Sequence, residues 1–233
     1  MSNLRFSPIF WIFIAVFAVR FFLSLLPSFE VDLRDWRYWT NRMVEVGPSK
    51  FYSKEIFTDN PPGFLYIFWG VGEIQKFFFP NLQYGSVQSD LLIKLPSNIA
   101  DLFTGLIIYL IVKKYRSRKT AISGFLLYTL NPAIFFNSSI MGQFDGSAAV
   151  FLLFSVYALV ERKLPILSTI SFAIAWSIKP QAIMVAPVFG LLILKYLKPF
   201  QWLITSFVFL ISTLLIYLPF FPQNPFCTNA SAL

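Results

Sequence analysis

Seven apolar runs constrain the fold of this chain more than any other feature. A helix that crosses the hydrocarbon core of a bilayer needs about 20 predominantly apolar residues. The candidate spans are Ile9–Leu26, Leu91–Val112, Thr120–Phe136, Ser147–Val160, Leu164–Ile178, Ala182–Leu194 and Phe200–Leu218. Charged residues make up 13% of the 233 residues, whereas a soluble domain carries about 25%. We therefore predict an all-α, multi-pass membrane protein with about seven transmembrane helices.

Composition excludes several classes of chemistry. The chain contains no histidine, so histidine-based catalysis and histidine metal sites are excluded. Its single cysteine, Cys227, can form neither an internal disulfide nor a thiolate metal cage. The net charge of +8 indicates membrane topology and not a nucleic-acid partner.

A polar stretch, Glu30–Pro62, interrupts the apolar pattern and holds 11 of the 30 charged residues. The following run, Gly63–Phe79, contains Glu73 and Lys76, and we interpret it as an interfacial helix. Ten basic residues then fall on one side of the membrane, with only Glu161 among the acids, as the positive-inside rule requires. These ten are Arg5, Lys113, Lys114, Arg116, Arg118, Lys119, Arg162, Lys163, Lys195 and Lys198.

This topology predicts a single transmembrane module over residues 1–220. A large outer loop over residues 28–90 carries interfacial helices, and residues 221–233 form a short, truncated polar tail. Asn137–Asp145 and Lys179–Gln181 fall on the same outer face as the loop. Polar residues brought to one membrane face by separate helices indicate a shared site.

The candidate site residues each have a plain structural alternative. Asp32 has Trp36 and Trp39 four and seven residues later, on one helix face, but an exposed carboxylate is as often only solvated. Arg34, Arg37 and Arg42 suit a lipid phosphate or anionic headgroups in general. These two readings stay open from the residues alone.

Several other polar residues have roles that are easier to assign. Lys179 suits a phosphate, or it pairs with Asp145. Asp59 and Asn60 are expected to cap the helix after Pro61–Pro62. Lys94 and Asp101 are expected to anchor helices, and Arg20 either snorkels to an interface or faces a polar cavity.

The motifs in order resemble a known superfamily. They are DLRDWRYWTNRMVEVGPSKFY, DNPPGFLYIFW, KLPSNIADLFTGLIIYLIVKKY, LNPAIFFNSSIMGQFDGSAAVFLL and WSIKPQAIMVAPVF. Together they look like the GT-C integral membrane glycosyltransferases, similar to protein O-mannosyltransferases and dolichyl-phosphate-glucose-dependent glucosyltransferases. The resemblance implies inverting transfer of a hexosyl or mannosyl group from a polyprenyl-phosphate sugar to an unknown extracytoplasmic acceptor.

The resemblance also implies roles for individual residues. Asp32 is the expected general base, and Lys179 is the expected phosphate partner. The expected second phosphate partner is one of the loop arginines Arg34, Arg37 and Arg42. Gln143 and Asp145 would bind sugar or acceptor hydroxyls. The rest of the expected substrate-binding set is Asp35, Trp36, Trp39 and Gln181.

The sequence also suggests a possible cofactor, partners and two alternative functions. Asp32 with Asp35 could hold a divalent cation, and no nucleic acid is expected. Family members are longer, so a second chain that supplies missing helices is an expected partner beside membrane lipids. The alternatives are a transporter, with Arg20, Lys94, Asp101 and Lys179 along its pathway, and a lipid-binding or scaffold subunit without catalysis. The expected location is the plasma membrane of a bacterium or the endoplasmic reticulum of a eukaryote.

Overall fold

The structure is a computed structural model that describes residues 7–53 and 56–221. Its regular structure in these residues is entirely helical. The first five helices are α1 (Pro8–Leu23), α2 (Glu30–Val46), α3 (Pro62–Phe78), α4 (Val87–Tyr115) and α5 (Arg118–Thr129). The next five are α6 (Pro132–Phe135), α7 (Asp145–Val160), α8 (Pro165–Ile178), α9 (Ala186–Tyr196) and α10 (Pro199–Tyr217).

Each predicted span contains a helix in the structure, but these helices differ in length. Within residues 7–53 and 56–221, only α4 and the segment Pro199–Phe220 are long and apolar enough to cross a membrane. The other apolar helices are shorter: Pro8–Leu23, Asp145–Val160, Pro165–Ile178 and Pro180–Tyr196. The all-α membrane architecture is therefore supported, and the count of seven spans stays a prediction, as does the division at residue 220. Of the predicted tail 221–233, all but Phe221 lies outside the described residues.

Helix starts follow from local chemistry. Proline occupies the first helical position of α3, α8 and α10, where its missing N–H costs no hydrogen bond. Ser86 caps α4 by accepting from the backbone N–H of Ser89 at 3.3 Å. Short segments of other helix types complete the chain, a π-helical turn at Phe136–Ile140 and 3₁₀ turns at Pro48–Lys50, Pro180–Val185 and Leu218–Phe220.

Basic residues gather at one end of the helix bundle. Lys114, at the end of α4, forms an ion pair with Glu161 at the end of α7, and Arg118 donates to the Ser7 hydroxyl at 2.9 Å. Lys163 lies 4.4 Å from the ring centre of Tyr196 at the end of α9. This grouping agrees with the charge pattern in the sequence, although Arg5 lies outside the described residues.

A buried ion pair joins α1 to α4. Arg20 is fully buried and pairs with Asp101, which is 2% exposed. The guanidinium also donates to the Asn98 side chain at 3.1 Å and to the Thr129 carbonyl oxygen at 2.8 Å. Ser138 contributes a hydroxyl to the same cluster. Arg20 therefore neither snorkels nor lines an open cavity.

Lys94 is the second buried cation of α4. Its ammonium donates to the carbonyl oxygens of Ser24 at 3.0 Å and Leu26 at 2.9 Å, where the chain leaves α1. The prediction that Lys94 and Asp101 anchor helices is confirmed by these contacts. Lys94, Asp101 and Arg20 all have hydrogen-bond partners inside the protein. Three of the four residues expected along a transporter pathway are therefore bound to other groups of the protein.

Helix α3 approaches α8 closely at Gly63. A Cβ atom added there would lie 2.4 Å from the carbonyl carbon of Ser177 and 2.5 Å from its oxygen. Both atoms belong to the backbone, so they cannot turn aside. Only glycine permits this contact. Whether α3 lies at the interface, as the sequence predicts, stays a prediction.

We expect Asp101→Ala to destabilise the protein by about 3–5 kcal/mol, because Arg20 would stay buried without its partner. The paired change Arg20→Met with Asp101→Leu should cost less, since no charge is then buried. Thermal unfolding followed by tryptophan fluorescence measures both. Equal losses in the single and paired variants would contradict this account.

We expect Gly63→Ala to destabilise the protein by about 1–3 kcal/mol through overpacking against α8. Gly70→Ala, on the same helix, is the matched control, because no atom lies within 4 Å of its added Cβ. Helix propensity should make that variant neutral or more stable by up to about 1 kcal/mol. The same unfolding assay tests the pair, and a stable Gly63→Ala variant would show that α3 can move away.

Candidate functional site

A polar cavity of about 300 Å³ opens at the end of the bundle opposite the basic cluster. Its walls come from α2, from the segment before α3, from the turn before α7 and from the break after α8. The lining residues are Asp32, Asp35, Trp36, Trp39, Phe57, Asp59, Asn60, Pro61, Phe64, Gln143, Lys179, Pro180 and Gln181. The structure thus brings together seven of the ten residues expected at the site. We call this cavity the polar pocket.

Helix α2 forms one wall of the polar pocket. Asp32, Asp35, Trp36 and Trp39 follow one another at spacings of three, one and three residues, so they share one helix face. Both tryptophans are at least 95% buried. Trp36 meets Phe144 edge to face at 5.5 Å between ring centres, and Trp39 meets Phe64 at 6.3 Å. This packing holds the aromatic wall rigid.

Gln143 reaches the polar pocket because of a glycine turn. Gly142 has a φ of 73°, a left-handed conformation that favours glycine. A Cβ atom there would also lie 3.0 Å from the Lys94 side chain and 3.2 Å from Trp36. The turn directs the Gln143 amide nitrogen to the Asp32 carboxylate, to which it donates at 2.6 Å.

Among the described residues that line the pocket, Lys179 is the one lysine or arginine. It follows α8 and pairs with Asp145, which stands at the start of α7 before the apolar stretch 147–160. Asn137 also donates to Asp145, at 3.0 Å. Burial alone would raise the pKa of the Asp145 carboxyl, but the hydrogen bonds from Lys179 and Asn137 outweigh it and hold that pKa below its ordinary value. Asp145 is exposed, so the pair is accessible to a competing anion.

Three expected site residues do not line the polar pocket: Asp145, Arg34 and Arg37. Asp145 pairs with Lys179, whereas the two arginines lie away from the pocket. Arg37 donates to Asp90 at 2.7 and 2.8 Å and to Glu30 at 2.6 Å, and so ties α2 to the start of α4. Arg34 is exposed, and its nearest carboxylate, Asp35, is 3.9 Å away. Arg37 therefore has a structural role, and neither arginine is placed to hold a pocket ligand.

The capping prediction for Asp59 and Asn60 is wrong. Helix α3 starts at Pro62 with Pro61 before it, and no side chain caps it. Pro61 occupies the N-cap position and has no side-chain acceptor, so Asp59 and Asn60 both lie before that position. Asn60 instead donates to Asp59 at 2.9 Å, and both line the polar pocket. The two prolines were the signal in the sequence that could have revealed this.

The side chains of the polar pocket suit hydrogen bonding better than metal binding. Asp32, Asp35 and Asp59 supply carboxylates, and three side-chain amides and the ammonium of Lys179 supply donors. Across residues 7–53 and 56–221, no three acidic, cysteine or histidine side chains are grouped to hold a metal ion. Carboxylates, amides and flat aromatic faces suit a hydroxyl-rich ligand, and one ammonium suits one anionic group.

Comparison with known proteins identifies the family. Residues 42–226 match the family described as GPI transamidase subunit PIG-U. The matched range includes most of the polar pocket but begins after Asp32, Asp35, Trp36 and Trp39. No curated protein matches the sequence.

The family match corrects the functional predictions. A GPI transamidase attaches proteins to GPI anchors and PIG-U is one of its subunits, so the predictions of a glycosyltransferase and of a polyprenyl-phosphate sugar donor are wrong. The resemblance to GT-C enzymes holds at the level of the fold, because PIG-U is a membrane family of the GT-C-like kind. The residues that carried the resemblance build this fold, and a fold does not determine the reaction.

Of the two predicted locations, the endoplasmic reticulum of a eukaryote is confirmed. PIG-U is a subunit of the endoplasmic reticulum membrane, and the apolar helices described above fit an integral membrane protein. The expectation of a second chain also fits, because PIG-U works within a complex of several subunits.

Proposed function

The chain belongs to the GPI transamidase subunit PIG-U family, and we infer that it works as a non-catalytic membrane subunit of such a transamidase. The match over residues 42–226 of the 233 is the observation that carries this inference. The chain's own residues agree with it. Acyl transfer to an amine uses an activated nucleophile and a base, and the chain has no histidine and only Cys227 as a thiol.

We propose that the polar pocket binds the head group of the GPI anchor. By its chemical name, a glycosylphosphatidylinositol carries sugar and inositol hydroxyls next to a phosphate. Asp32, Asp35 and Asp59 are placed to accept hydrogen bonds from hydroxyls. Phe57 lines the pocket and is exposed, so it can offer an apolar face to a sugar ring, while the buried tryptophans of α2 support the wall. A site made of a few polar groups against an aromatic wall is typical of small-molecule recognition.

Lys179 is the proposed contact to the phosphate. Its ammonium pairs with the exposed Asp145, and a partly exposed ion pair contributes about 1 kcal/mol or less. The phosphodiester of the anchor carries one negative charge, as Asp145 does, and it can therefore compete with Asp145 for Lys179. In this proposal Asp32 and Gln143 position a hydroxyl group, and Asp32 abstracts no proton.

The subunit role predicts what happens when the chain is absent. Cells that lack it should fail to attach a secreted reporter protein to the GPI anchor, and the complete chain should restore attachment. The tagged chain should co-purify with other subunits of the transamidase. Normal reporter anchoring in its absence would contradict the subunit role.

The pocket proposal predicts opposite effects of two substitutions. Lys179→Gln should weaken binding of a photoreactive GPI by about tenfold or more, because a hydrogen bond to a charged group contributes about 1.5–3 kcal/mol. Asp145→Asn should strengthen the same binding, because it removes the competitor for Lys179. Crosslinking yield in purified complexes measures both changes.

Arg34→Gln is the control for these two variants, since Arg34 is exposed outside the polar pocket. It should leave crosslinking unchanged. Co-purification with the other subunits should be normal in all three variants. If Lys179→Gln and Asp145→Asn lower crosslinking together, the ion pair is structural and the pocket proposal fails, while the subunit role stands.

A further inference from the structure

A second cavity of about 680 Å³ forms a groove between α3, α4 and α7. It shares no lining residue with the polar pocket. In the part of the chain that the structure describes, Ser147 and Tyr157 are the only lining residues with polar side chains, and no charged residue lines the cavity. The walls are Ile67, Val71, Ile74, Leu92, Leu95, Pro96, Ile99, Ala100, Phe103, Leu106, Ile107, Leu110, Ser147, Val150, Phe151, Phe154 and Tyr157. We call it the apolar groove.

The length of the apolar groove matches the membrane. Along α4 it extends from Leu92 to Leu110, which is about 27 Å at a rise of 1.5 Å per residue. The hydrocarbon core of a bilayer is about 30 Å thick. The groove therefore spans nearly the whole apolar depth of the bilayer.

The width of the apolar groove limits what can fill it. Its volume of 680 Å³ is the space that the centre of a water molecule can occupy, and divided by that length this space is about 5–6 Å across. Adding the radius of a water molecule, about 1.4 Å, on each side gives about 8–9 Å between the walls. A helix with its side chains is about 10–12 Å wide and does not fit. Carbon atoms in contact lie about 3.5–4.0 Å apart, so one hydrocarbon chain fits.

Water is a poor occupant, because a buried water needs two to four polar partners and the walls provide almost none. The apolar groove is also open to the side. Ile99 is 38% exposed and Phe103 48% exposed, although both lie midway along α4. A lipid chain can enter from the bilayer without crossing a polar barrier.

We propose that the apolar groove binds one unbranched acyl chain of a membrane phospholipid, which completes the packing between α3, α4 and α7. Since no charged side chain lines the groove, the hydrocarbon itself is the recognised group. This site is separate from the polar pocket and does not depend on the transamidase role.

Photocrosslinking of the full chain in its native membranes tests the proposal. The probe is a phosphatidylcholine with a diazirine in the middle of one acyl chain, and mass spectrometry locates the crosslinks. We expect crosslinks at Ile99, Phe103 and Val150 at least fivefold above those on the outward face of α10. Ile99→Trp should fill the channel and lower the remaining groove crosslinks at least fivefold.

Leu203→Trp is the matched control, because Leu203 is 71% exposed on α10 and does not line the groove. It should leave the groove crosslinks unchanged. Val150→Trp, on the opposite wall, replaces Ile99→Trp if that variant is not recovered. Equal labelling of the groove and α10, or groove crosslinks to a helix of another protein or a second copy, would overturn the proposal.

Discussion

The burial of Arg20 is the constraint on which the arrangement of the N-terminal helices depends. A guanidinium among apolar helices must have its charge and its N–H groups satisfied by protein. Asp101, Asn98 and the Thr129 carbonyl do this, and they come from α4 and the end of α5. Three helices are thereby fixed around one side chain.

The ion pair of Arg20 and Asp101 also influences the position of the polar pocket, through α4. Asp101 holds α4 against α1, and Asp90 near the start of α4 binds Arg37 of α2. Because Asp32 and Trp36 are on the same short helix as Arg37, their position follows from that of α4. A buried charge that contacts no ligand thus helps to place the pocket wall.

One aromatic cluster connects the two cavities. Phe64, Phe68 and Phe144 lie 5.0–5.2 Å apart between ring centres, with Trp36 and Val71 in the same buried cluster. Phe64 and Trp36 line the polar pocket, whereas Val71 lines the apolar groove. The same packed side chains thus separate the polar pocket from the apolar groove.

The sequence by itself determined the helical membrane class, the basic end of the bundle and the face of α2 that carries Asp32, Trp36 and Trp39. These follow from apolar run length, charge distribution and helical period, which are local properties. Only the tertiary structure decided that Arg37 binds Asp90, that Asp59 and Asn60 line a pocket, and that α3, α4 and α7 leave a groove. These contacts depend on which segments, far apart in the sequence, pack together in the fold. The reaction was inferred wrongly because motifs that build a shared fold do not specify chemistry.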